Sequence, residues 1–217
     1  RGVAFYRIAE DLKVTALNLG LAYGITDNFE VGGLLLPLLF ARAGGASDSE
    51  FGNMELYMRY RAVQLGAFEL GLHAGFDLPT LSDSGQNFGL ELAAPINLRF
   101  AKRVRLESGL AIETLFRDAQ NVLNIDIPAA LAFALSRAWH LGVRAGARFF
   151  SVNVDTVSAM PLGAFFGYTL PVGSQSSVDL SMAFTWPTFV NFGGGDSDIV
   201  SEYWVLQAGA NFYFDVL

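Results

Sequence analysis

The chain has 217 residues, 52% of them hydrophobic and 16% charged, with a formal net charge of −7 and a mean hydropathy of +0.36. Charged residues recur along nearly the whole length, which excludes a transmembrane helix, since that needs about 18 or more consecutive apolar residues. The acidic balance gives no footprint for nucleic acid, and without cysteine there is neither a disulfide framework nor a thiolate metal site.

From the start of the chain, Arg1 leads almost directly into a strand-like run, and a precursor segment ahead of it is expected to have been removed or not to be included in this sequence. A first strand is expected near Gly2 to Ile8, with a tight connection at Glu10 to Leu12. From Met54 the period-two pattern is unbroken: Met54, Leu56, Met58 and Tyr60 alternate with Glu55, Tyr57, Arg59 and Arg61. After a turn at Val63 to Gly66 it resumes, with Phe68, Leu70, Leu72, Ala74, Phe76 and Leu78 against Glu69, His73 and Asp77. Phe88, Leu90, Leu92, Ala94, Ile96 and Leu98 oppose Glu91, Asn97 and Arg99, and Leu106, Leu110 and Ile112 oppose Arg105, Glu107 and Glu113. Leu123, Ile125 and Ile127 face away from Asn124 and Asp126, and Trp139, Leu141 and Val143 from His140, Arg144 and Arg148. The longest uncharged stretch, Thr156 to Val178, is broken by Pro161, Pro171 and several glycines and reads as two strands and a turn. Val178, Leu180, Met182 and Phe184 then oppose Asp179, Ser181 and Thr185.

The connections alternate in length. Short turns are expected at Ile25 to Asn28, Val63 to Gly66, Ala101 to Arg103, Leu135 to Ala138 and Pro171 to Ser176. Between them lie loops at Ala41 to Glu50, Thr80 to Gln86, Arg117 to Asn121, Ser151 to Asp155 and Thr188 to Ser201. In lipid, every backbone group must be satisfied internally, and a closed barrel does so because it has no edge. The expectation is a single all-β domain spanning residues 1–217. It is an antiparallel up-and-down transmembrane barrel of about twelve strands, or ten if the first hairpin is not part of the wall. Short turns and both termini would face the periplasm of a bacterial outer membrane. Aromatic residues cluster at the strand ends: Phe29, Phe68, Phe100, Phe133, Trp139, Phe212 and Phe214 near turns, and Phe40, Phe88, Phe116, Phe149, Trp186 and Trp204 near loops, forming two candidate girdles. A soluble sandwich would also alternate, but it would turn its polar face outward.

Near the end, Gln207, Gly209, Phe212 and Phe214 in QAGANFYF resemble the C-terminal β-signal read by the barrel-assembly machinery, and three residues follow it. YGITDNFEVGGLLLP (Tyr23 to Pro37), FGNMELYMRYR (Phe51 to Arg61) and GLHAGFDLPT (Gly71 to Thr80) resemble the outer-membrane family described as a putative transporter of the meta-pathway of phenol degradation. This resemblance covers the first half of the chain and implies uptake of hydrophobic compounds. Gly52-Asn53 replaces that family's usual Gly-Asp.

Assigning the polar parity to the lumen makes Glu55, Arg59, Glu69, His73, Glu91, Arg105, Glu107, Asp126, Arg144 and Arg148 the expected channel-lining residues. Such charges could select solutes at a constriction or neutralise one another and fill the barrel. Twelve strands about 4.8 Å apart and tilted about 40° give a wall radius of roughly 12 Å, which leaves a narrow passage once side chains point inward. Gly71, Gly75, Gly89, Gly109, Gly142, Gly146, Gly163 and Gly167 share the inward parity and leave space. His73 and His140 lack a local serine motif, so no catalytic residue, metal site or cofactor is expected. Gly193 to Asp198, GGGDSD, reads as a flexible acidic loop. The expected function is passage of small solutes, with a blocked barrel anchoring an envelope complex as the alternative. Expected partners are outer-membrane lipid and lipopolysaccharide, the assembly machinery, a small-molecule solute and envelope subunits.

Overall fold

The structure, a computed structural model, describes residues 3–7, 12–43, 46–80, 86–118, 120–152, 157–172, 176–192, 198–199 and 204–214. They form fourteen strands in one antiparallel sheet: β1 (Val3–Arg7), β2 (Leu12–Thr26), β3 (Phe29–Ala43), β4 (Ala46–Phe51), β5 (Met54–Leu65), β6 (Phe68–Leu78), β7 (Gln86–Ala101), β8 (Val104–Arg117), β9 (Val122–Ala134), β10 (Trp139–Phe150), β11 (Val157–Pro171), β12 (Ser176–Asn191), β13 (Asp198–Ile199) and β14 (Trp204–Phe214). Twelve of these make the wall. β1 pairs with β14, β14 with β12 and β12 with β11, and from there the order runs back through β10 to β1, so the sheet closes on itself. β4 pairs only with β3, and β13 only with β12, as short extensions beyond the ring. The fold is the expected barrel, and the first hairpin belongs to its wall.

The described residues form no hydrophobic core. Among the described residues only Tyr57, Ala132, Ala159 and Val205 are buried apolar side chains, while Met58, Leu92, Val143 and Met182 are 44%, 52%, 53% and 51% exposed. A water-soluble sandwich would bury these positions between its sheets. Here the apolar parity of each strand forms the outside of a closed wall, as a lipid solvent requires.

Three expected connections differ, one of them the loop at Thr188 to Ser201, whose first four residues belong to β12 and whose Asp198 and Ile199 form β13. Val63 to Leu65 belongs to β5, leaving a tight turn in which Gly66 adopts φ of 56°, a conformation that suits glycine. The expected loop at Ala41 to Glu50 is instead mostly the hairpin of β3 and β4, with Leu38 opposite Phe51 and Ala41 opposite Asp48. The first tight connection, most of the GGGDSD stretch and the last three residues lie outside the described residues.

Among the prolines in wall strands are Pro95 on β7, Pro128 on β9, Pro161 on β11 and Pro187 on β12. Proline cannot donate to a ladder, and the register is interrupted beside it. The β6–β7 pairing skips from Leu70↔Ile96 to His73↔Ala93, and β8–β9 skips from Ser108↔Ala129 to Ala111↔Asp126. In the second gap the Ser108 hydroxyl donates to the Pro128 carbonyl at 2.9 Å. Glycines accept the ring bulk: a Cβ on Gly71 would lie 3.0 Å from Pro95 Cγ, and one on Gly146 would lie 2.7 Å from the Ile127 carbonyl oxygen and 3.2 Å from Pro128 Cα. Because that contact is to backbone, Gly146→Val is expected to lower stability by about 1–3 kcal/mol, read as a shift of the urea unfolding curve in lipid vesicles.

Candidate functional site

Because the outer parity is apolar and the ring is closed, the opposite parity faces the interior. Arg144 Nη2 on β10 donates to Gln207 Oε1 on β14 at 3.4 Å, and these strands are not neighbours in the wall. A cavity of about 790 Å³ lies there, with Asn97, Glu107, Asp126, Arg144, Arg148 and Gln207 among its lining residues.

The expected lining residues fall into separate groups. Toward the ends of the strands that carry the longer loops, Glu55 on β5 stands opposite Asp77 on β6, and Glu91 on β7 stands opposite Glu113 on β8. Glu113 Oε2 accepts a hydrogen bond from Asn124 Nδ2 at 2.8 Å. Gly75 and Gly89 make room for this acidic belt: a Cβ on Gly75 would lie 3.2 Å from His73 Nε2, and one on Gly89 would lie 2.7 Å from Asp77 Oδ2. Below the belt, Arg59 Nε donates to His73 Nδ1 at 3.4 Å, and Arg59 Nη1 pairs with Glu30 Oε1 at 3.4 Å. The Arg59 guanidinium also lies 4.3 Å from the centre of the Tyr57 ring. Nearer the short turns, Arg61 approaches Glu69 at 3.8 Å, and Arg105 forms an ion pair with Glu107 two positions along the same strand. Arg148 grips Asp126 through two hydrogen bonds of 2.6 and 3.0 Å, the paired geometry in which guanidinium and carboxylate are strongest.

Among the described residues, Glu55, His73 and Glu91 bring one ligand atom each within 4.8 Å of one another. They come from three successive strands, so no local motif announces them. In the present arrangement His73 Nδ1 accepts from Arg59, which leaves the proton of a neutral ring on Nε2, 3.8 Å from Glu91 Oε2. The ring is then a donor facing a carboxylate, and a cation could be held there only if that proton left and Arg59 turned away. His140 has a different setting: its ring lies 6.5 Å from that of Phe165 and fills the space over Gly167.

The aromatic belts are partly assembled. Phe88 stacks on Phe116 at 4.1 Å, Trp139 meets Phe166 at 5.0 Å and Tyr168 at 4.2 Å, and Phe184 joins Trp186 at 4.6 Å and Trp204 at 6.0 Å. Of the expected assembly-signal residues, Gln207, Gly209, Phe212 and Phe214 all lie in β14, paired with β12. Gln207 and Gly209 share the inward parity, while Phe212 is an exposed residue of the outer parity.

The expected lining set did not include Pro95, Pro128, Pro161, Pro187 or Thr185, all of which line the 790 Å³ cavity. The prolines carried a signal, since proline inside a strand flanked on both sides marks a local break in the ladder.

No protein-family model matches the chain, and no curated protein sequence matches it. Solved structures do. A COG4313 outer-membrane channel from Pseudomonas putida F1 superposes with a TM-score of 0.64 at 11% identity, over 98% of this chain and 94% of that one. The fold is that of outer-membrane β-barrels. The NanC porin aligns at a TM-score of 0.57 and 8% identity over 99% of both chains, and the KdgM porin at 0.54 and 7% over the full length of both.

Proposed function

We propose that this barrel is a porin-like conduit of a bacterial outer membrane, which passes small solutes through its charged interior without covalent chemistry. The observation that carries this reading is the cavity of about 790 Å³, edged by ionic groups, on the inside of a closed twelve-stranded wall. Glu55, Arg59, Glu69, His73, Glu91, Arg105, Glu107, Asp126, Arg144 and Arg148 would line the path, and fixed charges in a confined space set which ions enter. Likeness to channel and porin structures supports the reading at the level of fold. The segments resembling the phenol-degradation transporters would place hydrophobic compounds among the solutes. In this reading the short turns and termini face the periplasm, lipid and lipopolysaccharide contact the wall, and the assembly machinery recognises β14.

Purified protein in planar bilayers is expected to give steady open steps that scale with salt concentration. Silence from protein shown to be folded would overturn the conduit and leave a blocked barrel that anchors other envelope components. Lipid turnover with His73 and His140 each replaced by alanine tests the enzymatic alternative. No turnover above protein-free vesicles is expected from either the parent or the variants.

A further inference from the structure

Arg144, Gly163 and Thr185 form a row across three strands of the wall. In the register Arg144 on β10 faces Gly163 on β11, and Gly163 faces Thr185 on β12. Neighbouring strands are about 4.8 Å apart, so the two polar side chains flank a gap one strand wide. β11 carries no side chain between them, and its neighbours close over that position: a Cβ on Gly163 would meet the Phe184 carbonyl oxygen and lie 2.9 Å from Thr185 Oγ1.

Both flanking side chains carry a buried polar atom with no hydrogen-bond partner, Arg144 Nε and Thr185 Oγ1. Leaving such atoms unmatched costs free energy, most of all for a charged donor. Both residues also line the 790 Å³ cavity. The other ionic residues lining it are matched to one another or to a neighbour: Asp126 is held by Arg148 and Glu107 by Arg105. Arg144 has only the Gln207 amide oxygen, at 3.4 Å. It is the cavity-lining cation without a carboxylate partner among the described residues. Apolar side chains of the inward parity on the same lining include Pro95, Pro128, Pro161, Pro187 and Val205.

We propose that the cavity wall at Arg144 and Thr185 binds the carboxylate of a small organic acid whose body is apolar. The proposal rests on the conduit reading and names a class of solute for it. The carboxylate accepts from the Arg144 guanidinium and the Thr185 hydroxyl, while the body lies against the proline-lined wall. Cavities of this size hold molecules from a few to some tens of heavy atoms. Glu107 and Asp126 on the same lining disfavour a second negative charge, so a monocarboxylate fits better than a dianion.

The test is a ligand-observed NMR titration of the full chain in detergent micelles, with benzoate as probe and benzyl alcohol, acetate and phenyl phosphate as comparators. Protein-free micelles provide the partitioning baseline. Benzoate is expected to bind saturably and at least about tenfold more tightly than each comparator, since one charge-assisted hydrogen bond is worth about that factor. Arg144→Gln is expected to lose about tenfold or more, Thr185→Val a few-fold, and Arg144→Lys to recover only part, because a lysine cannot present the Nε donor. Should Arg144→Gln fail to fold, Thr185→Val and Arg144→Lys carry the same distinction. Equal binding of benzoate to the parent chain and to Arg144→Gln overturns the proposal, as does benzyl alcohol or acetate binding as tightly as benzoate. An open pore that does not bind benzoate refutes the site alone, whereas a silent barrel that binds it refutes only the conduit.

Discussion

Neutralising the acidic belt, in the triple variant Asp77→Asn, Glu91→Gln, Glu113→Gln, is expected to lower the permeability ratio of potassium to chloride by about tenfold. The belt sets Glu55 opposite Asp77 and Glu91 opposite Glu113 on adjoining strands, and the cations nearest to it are already engaged. Arg59 is shared between Glu30, His73 and the Tyr57 ring, and Arg148 is committed to Asp126. A mobile ion about 8 Å from one carboxylate in a water-filled lumen gains about 0.5 kcal/mol, so a belt of four approaches 2 kcal/mol before screening. Zero-current potentials across a bilayer with unequal potassium chloride on its two sides measure the ratio directly. The effect should shrink as salt approaches 1 M, where the screening length falls to about 3 Å. Glu107→Gln is the control. Its carboxylate is paired with Arg105, so its removal should move the potential by much less than the triple variant. An unchanged potential in the triple variant would mean that ions do not pass beside this belt.

How far the sequence discloses this arrangement depends on the distance over which each feature is encoded. The wall is written locally: each strand carries its own alternation, and Met54 to Tyr60 or Phe68 to Leu78 can be assigned to outside and inside with no knowledge of their neighbours. The hairpin of β3 and β4 was not legible. Ser47, Asp48 and Ser49 read as loop by composition, yet they pair with Arg42, Ala41 and Phe40. A ladder that extends past the lipid has no need of apolar residues on its outer side. Groupings on the inside were hidden for a different reason. Arg144, Gly163 and Thr185 become neighbours only through the registers of two successive strand pairs, and alternation gives parity without register. Glu55, His73 and Glu91 converge in the same way. Partnerships such as Arg148 with Asp126 follow from a single hairpin register and lie one step closer to legibility, because the connection between β9 and β10 is short. The interior prolines were visible as anomalies, but their shared cavity was not, since Pro95 and Pro187 are far apart in the chain.

Replacing Leu92 with arginine is expected to destabilise the folded barrel in a bilayer by about 2–4 kcal/mol if this position lies at mid-depth, with a smaller cost nearer either interface. Leu92 is 52% exposed on the outer parity of β7, and its register partners Ala74 and Ile112 lie on the same face. Tyr60, Leu72 and Leu110 belong to the same apolar surface, so a guanidinium there meets hydrocarbon and no carboxylate. The neighbouring position gives the contrast. Ala93 lies on the inward parity beside His73, and Ala93→Ser is expected to cost little because the interior already holds polar groups. Folding titrations in urea with vesicles of defined chain length measure both variants. Equal tolerance of Leu92→Arg and Ala93→Ser would reverse the assignment of inside and outside. If Leu92→Arg alone loses stability, and loses more in thicker bilayers where the charge has farther to reach water, then the exposed apolar face of this protein is its lipid surface.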